Sequence, residues 1–503
     1  MTPPAGQTKS TPLDAGLALE KIAKTWIVAL AILLAIFVAT ALSLQDQPFR
    51  LTLYVCAYAT IAMVYFAYSA ADQGFDVLHP SFGLFLLLFL YSLSSALFVE
   101  TEKTTFYKET LVDQVYAIYY WACGAGAAGL AIGLSVRRLS GVATHQSKHI
   151  ASHSNVFLRN TMLWCCLVLC VVFLPFIYSK FNFFAVRSYY EIALSSRVER
   201  LADDSAGVID VLTLYLPLTI LLATCAYAIQ NAEVKTWQRL AAFVVFGAYV
   251  LTGFLAGERY TILYCGVVML AYRHFRIQRV SALQAIVGGF IGYVLMNLIP
   301  IIRGSANPAL MLQVLMDTLG SEGLNDFSLT YSNELVTATN LHRHIQGMLL
   351  GETTYNYGYS LVTDLLVWIP RLIYPNRPLP ISEQFVEVFY PGVRDMGGGY
   401  GFFIIQEGYW AFGVFGAFVF MAFFGWIVDG LYRAVLKFQQ YDLVLILYAA
   451  VYADIVMASI RSGIVGSFKA ALLHAFPFVF VLVVHAIRLR WRAHRAPSAR
   501  PVA

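Results

Sequence analysis

With 503 residues, 59% of them hydrophobic and only 13% charged, the chain carries too few charges to solvate the surface of a water-soluble protein of its length. The net charge of +5 is modest, and most basic residues fall where membrane topology explains them, which gives a nucleic-acid role almost no weight. The apolar residues gather into runs of about 17 to 25, the length that crosses a hydrocarbon core as helix. An all-α polytopic membrane protein with about 12 transmembrane helices is the expectation.

The first twenty residues are polar, with Pro3, Pro4, Lys9 and Asp14, and lack the apolar stretch and cleavage site of a secretory signal. The first helix is therefore expected to be retained. Apolar runs predict helices over Trp26 to Ser43, Leu51 to Ala71, Phe82 to Phe98, Val115 to Leu134, Thr161 to Tyr178 and Ile209 to Ile229. Six more are predicted over Leu240 to Leu255, Tyr260 to Tyr272, Ala282 to Ile302, Ile404 to Val428, Val444 to Ile460 and Ala471 to Ile487. All seven cysteines lie inside apolar runs, so no disulfide, metal or cofactor framework is expected.

Orientation follows from the short loops, because Lys and Arg are retained on the cytoplasmic side. Lys21 and Lys24 precede the first helix, Arg137 and Arg138 follow the fourth, Lys235 and Arg239 the sixth, and Arg273, Arg276 and Arg279 the eighth. Arg433 and Lys437 follow the tenth, and Arg488, Arg490, Arg492 and Arg495 crowd the tail. The alternation is self-consistent and places both termini in the cytoplasm. The weak point is Leu240 to Tyr272, interrupted only by Gly257, Glu258 and Arg259; as one helix it would be about 50 Å long, so two short helices with a tight outer turn fit better.

Three regions result: residues 1–302 with the first nine helices, 303–403 as a large periplasmic loop between helices 9 and 10, and 404–503 with the last three helices and a basic cytoplasmic tail. The loop holds amphipathic pieces, Leu310 to Leu319 and Leu361 to Ile373, and is expected to form a helical cap over the outer membrane face.

Arginine occurs where the orientation rule makes it scarce: Arg259, Arg303, Arg371, Arg377, Arg394 and Arg461 all fall on the outer side. Guanidinium groups hold phosphate bidentately and keep their charge near a low-dielectric medium, so an anionic, membrane-embedded substrate is the sharper reading. Contact with lipid headgroups, or pairing with Glu258 and Asp395, explains any single arginine equally well. Carboxylates form the second signal: Glu407 at the start of the tenth helix, beside Tyr409, suits a general base, whereas Asp454 in the eleventh suits pairing with a neighbouring helix. His342 and His344 are second candidates for the base, although a loop histidine is more often solvated.

Prolines 370, 375, 378 and 380 and the run Gly397, Gly398, Gly399 mark a rigid, closely approachable loop. Here the chain resembles a family. The segments Tyr357-Gly358-Tyr359-Ser360-Leu361, Ile369-Pro370-Arg371-Leu372-Ile373-Tyr374-Pro375-Asn376-Arg377-Pro378, Gly397-Gly398-Gly399-Tyr400 and Glu407-Gly408-Tyr409-Trp410-Ala411-Phe412-Gly413, with Gly416 and Gly425 beyond, are similar to the Wzy-type O-antigen and capsule polymerases. The detailed likeness covers about a fifth of the chain. Arg377 stands where family members often carry lysine, and Tyr374 where many carry tryptophan.

The resemblance implies a GT-C-like, metal-independent, inverting glycosyltransferase of the bacterial inner membrane that acts on undecaprenyl-diphosphate-linked oligosaccharides at the periplasmic face. It also admits a chain-length regulator (polysaccharide co-polymerase) and a flippase as partners. Under it, Glu407 is the first candidate base, Arg303 and Arg371 stabilise the diphosphate leaving group, and Arg259, Arg377, Tyr409, Arg461, His342 and His344 bind substrate. An O-antigen ligase would share helices, loop and arginines. A lipid-linked sugar transporter is the non-enzyme alternative, and it would be expected to show internal repeats, broken helices and mid-membrane charges, which the sequence mostly lacks.

Overall fold

The structure, a computed structural model, describes residues 48–73, 76–101, 111–139, 225–226, 228–230, 234–255, 259–303, 335–369, 373–393, 400–439 and 442–495. Its elements are α1 (Pro48–Gln73), α2 (Pro80–Thr101), α3 (Val112–Leu139), α4 (Thr236–Leu255), α5 (Arg259–Arg276) and α6 (Ala282–Arg303), then the cap helices α7 (Thr339–Leu349), α8 (Tyr359–Leu366) and α9 (Ile381–Phe389), and last α10 (Ile404–Phe438), α11 (Asp442–Ala453) and α12 (Ser459–Arg495). Among the described residues there is no strand; one isolated parallel bridge joins Phe402 to Ser462.

Four stretches are long and apolar enough to cross a membrane: Pro80–Leu97, Val112–Val136, Ile404–Phe438 and Leu447–Ala475, with shorter apolar helices over Leu51–Ala67 and Leu283–Leu295. The chain is a helical, membrane-embedded protein. The predicted first and fifth helices, most of the sixth, and Leu310 to Leu319 lie outside the described residues. The run from Leu240 to Tyr272 forms two helices, α4 and α5.

α3 and α10 pack backbone to backbone. A side chain at Gly129 would overlap the carbonyl of Phe418, one at Gly133 that of Ala422, and Gly425 abuts Leu130 and Leu134. Small residues four apart let two helices approach closely where no hydrophobic effect drives them together. Both sequences advance in the same direction along this seam, so the two helices run parallel.

Two long helices are broken, which corrects the expectation that broken helices are mostly missing. In α10 the backbone leaves helical geometry at Phe412 (φ −146, ψ 26) and Gly413 (φ 66, ψ −147). Gly408 and Gly416 touch through their backbones, although eight residues of straight helix span about 12 Å. The short segment 404–411 therefore folds back on 414–438. In α12 the break is at Gly463 (φ 75, ψ 177). Twenty residues of straight helix would span about 30 Å, yet His474 Nδ1 lies 2.7 Å from Asp454 Oδ2, so the chain reverses near Gly463. Positive φ at both reversals is geometry that glycine adopts without strain. Just before the second, Asp454–Ala458 forms a π-helical turn, and the break at Gly463 falls between the predicted eleventh and twelfth helices.

The cap differs from a layer lying on the membrane surface. α7 buries seven of its eleven residues, and the imidazole of His342 stacks on Tyr119 of α3 with ring centroids 3.7 Å apart. This helix is wedged against the bundle because its apolar face and both histidines point inward. The predicted helix over Leu361 to Ile373 is shorter, ending at Leu366.

The end of the bundle away from the cap is tied by buried polar pairs. His274 Nε2 lies 3.1 Å from Asp76 Oδ1, Tyr432 donates to the other Asp76 oxygen, and Tyr448 donates to Leu78 O at 2.5 Å. Burial alone would raise the Asp76 carboxyl, but bonds from His274, Tyr432 and Leu78, together with the charge of His274, outweigh it and hold the group at about 2.

Candidate functional site

The two reversals meet where the cap joins the bundle. The extended residues before α10 cross the turn of α12: Phe402 N donates to Arg461 O at 2.6 Å. One turn into α10, Glu407 is fully buried, and its Oε2 accepts from the backbone N–H of Ile464 at 2.6 Å. Ile464 opens the second segment of α12, 464–495, whose first N–H groups have no partner within the helix. The carboxylate therefore acts as an N-cap supplied by another helix. Its other oxygen, Oε1, is buried without a hydrogen-bond partner.

Asp364 does the same for α9. This carboxylate on α8 accepts from Ile381 N at 2.8 Å, at a helix start where Pro380 provides no side-chain cap. Burial pushes Asp364 up to about 6, against the pull of the Ile381 N–H and the charge of Lys469. Asp364 also faces Glu407 closely enough for their like charges to oppose each other. One turn earlier on the same face, the buried hydroxyl of Ser360 has no partner.

Cations complete the junction. Lys469 of α12 donates to Val367 O at 3.2 Å, and Arg377 donates through Nη1 to Val367 O at 2.6 Å and Ile369 O at 2.9 Å. Both meet the carbonyls at the negative end of α8, as a helix C-terminus favours. Arg377 thus has a role in holding the loop that a reading confined to phosphate binding did not foresee.

Around His344 the cap has its own core. Nδ1 of His344 lies 3.2 Å from Gln406 Nε2, and the ring is boxed by Phe385, Phe389, Tyr409 and Trp410. Burial lowers His342 to about 3, and burial with the charge of Arg343 lowers His344 to about 3. These histidines are not solvated loop residues, and a proton affinity that low makes either a weak base.

The predicted site residues sort as follows. Glu407, Tyr409, Arg461, Arg377 and His344 are brought to the junction, whereas His342 sits beside Tyr119 in the bundle. Arg259 begins α5 and Arg303 ends α6, with their side chains outside the described atoms; Arg371 and Arg394 lie outside the described residues. Sequence reading missed Asp364, Ser360 and Lys469. A carboxylate at the centre of an apolar cap helix was the one available signal for the first. Asp454, expected to pair with a neighbouring helix, pairs with His474 of the returning segment, on which Tyr264 stacks.

The chain matches no protein-family model, no curated protein and no solved structure.

Proposed function

We propose that the chain is a membrane glycosyltransferase that polymerises undecaprenyl-diphosphate-linked oligosaccharide repeat units into a bacterial surface polysaccharide at the periplasmic face. The observation that carries this reading is Glu407, a buried carboxyl group with one unpartnered oxygen, set where the cap meets the bundle and the turn of α12. A buried unpaired acceptor costs about 1 to 3 kcal/mol and is retained where a ligand or reaction uses it.

In the proposed reaction, an acceptor sugar hydroxyl attacks the anomeric carbon of the donor chain. The bond from that carbon to the diphosphate oxygen breaks, the proton passes to Glu407, and undecaprenyl diphosphate leaves with inversion. Cations fixed near the leaving oxygen stabilise the transition state more than the ground state. Arg303 and Arg371 hold this part of the proposal.

A second reading, a lipid-linked sugar transporter, gains from the two broken helices and from the buried Asp454–His474 pair inside a candidate span. Gene deletion separates them. Loss of the polymerase should leave glycolipid with a single repeat at the cell surface; loss of all surface glycan would instead indicate a transporter or ligase.

A further inference from the structure

We propose that α8 lies in the membrane interface with its outward face against the phospholipid of the cap-side leaflet, as an in-plane anchor that holds the cap at a fixed depth.

α8 is inside out. A helix on the surface of a soluble protein turns its apolar stripe to the core and its polar residues to water. Here Ser360, Thr363 and Asp364 are buried, while Tyr359, Val362 and Leu365 are 66%, 56% and 55% exposed. Three large apolar or aromatic side chains on one arc of a helix are costly to leave in water, whereas polar residues need no shelter from it. Lipid outside the helix accounts for both faces. Trp368, Ile373 and Tyr374 extend the exposed surface past the end of the helix.

The face continues the lipid-facing side of a span. Along the segment 414–438 of α10, Phe415, Val419, Phe423 and Trp426 recur at helical spacing and are exposed, as a helix that crosses a membrane exposes its side to acyl chains. At the reversal the exposed Phe412 carries this stripe to the cap, where its ring centroid lies 6.3 Å from that of Tyr357, two residues before α8. Asn356 N donates to Trp410 O at 3.0 Å and Trp410 Nε1 to Thr354 O at 3.2 Å, which ties the start of α8 to the level of that reversal.

This level is the interface. Gly413 stands twenty residues before Arg433, the first basic residue of α10, and twenty residues make about 30 Å of helix, the thickness of a hydrocarbon core. Tyrosine and tryptophan collect at the edge of that core, and Tyr355, Tyr357, Tyr359, Trp368 and Tyr374 are all exposed here.

Charge plays no part in the contact. From Thr354 to Ile369 the one charged side chain is Asp364, which is buried, so the face meets acyl chains rather than anionic headgroups. Because Asp364 on the other face caps α9 and opposes Glu407, leaflet contact on one side of α8 fixes the height of the junction on the other.

The test places a benzophenone amino acid at position 362 of the purified full-length chain, reconstituted in phosphatidylcholine vesicles with a trace of undecaprenyl phosphate, and weighs the intact protein after illumination. A mass increase of one phosphatidylcholine, undiminished in high salt, is the expected result. Absence of any adduct, which puts the face in water, overturns the proposal. So does an increase of one further chain, which makes the face a contact between copies, or an adduct of undecaprenyl phosphate in preference to phosphatidylcholine, which makes it a seat for a polyprenyl chain. Should the protein labelled at 362 not fold, the same label at position 365, on the same arc of α8, decides by the same outcomes.

Discussion

His474 Nδ1 and Asp454 Oδ2 lie 2.7 Å apart across the hairpin that turns at Gly463 within α12, each about ten residues and so about 15 Å along the helix from the turn. Both residues are buried inside a candidate span, where an ionisable group that loses its partner is costly. Asp454→Leu and His474→Leu should each lower stability by about 3 to 5 kcal/mol, whereas the double replacement should recover most of the loss. Thermal unfolding of the four proteins checks this, and additive single effects would contradict a clasp between the two.

The parts of this fold that were legible in sequence are those set by local pattern. Apolar runs located the helices because a span must satisfy its own backbone and face lipid. Glu407 stood out because a carboxylate at the start of an apolar helix is expensive. The reversals at Gly413 and Gly463 did not stand out, since a glycine within an apolar run looks the same whether the helix continues or folds back. Asp364 capping α9 and Glu407 capping α12 are pairings across distant segments, which local pattern does not encode.

The buried histidines of α7 make the cap sensitive to acid. His342 and His344 are both lowered from 6.5 to about 3, so the unfolded chain binds protons before the folded one does. Their contribution is intact above pH 6.5 and is lost progressively as pH falls from there toward 3. At about pH 5.5 the loss should be about 1 to 2 kcal/mol for each histidine. Hydrogen exchange over α7 should quicken through this range in wild type and less so in His344→Phe; equal pH dependence in the two would contradict the burial argument.

Asp364 carries the opposite sign. Its carboxyl is raised to about 6, so it disfavours the folded cap as pH rises from 3.8 through 6 and adds nothing further above that. Asp364→Asn should remove this dependence while keeping the cap of α9, because an amide oxygen still accepts from Ile381 N and no charge has to be buried. The slope of cap stability between about pH 4 and pH 6 checks the sign.

If Arg303 and Arg371 hold a diphosphate leaving group, lysine should replace either one poorly. Arg303→Lys and Arg371→Lys should each slow polymerisation by about 30- to 1000-fold while the proteins remain folded. The exposed Arg273 provides the control, and Arg273→Lys should be silent. Arg433 would serve less well, since its Nε lies 2.6 Å from Asp429 Oδ2 in a buried pair. Near-normal polymer from both outer variants would remove the diphosphate assignment.

The most direct test of the central claim is reconstitution of the purified chain in liposomes with a synthetic undecaprenyl-diphosphate-linked repeat unit and no added metal, followed by separation of the glycolipids by size. A polymerase yields a ladder of multiples of the repeat, with one undecaprenyl diphosphate released for each bond formed, and Glu407→Gln yields none. Repeat units that stay single, whether moved across the bilayer or left in place, would contradict the account.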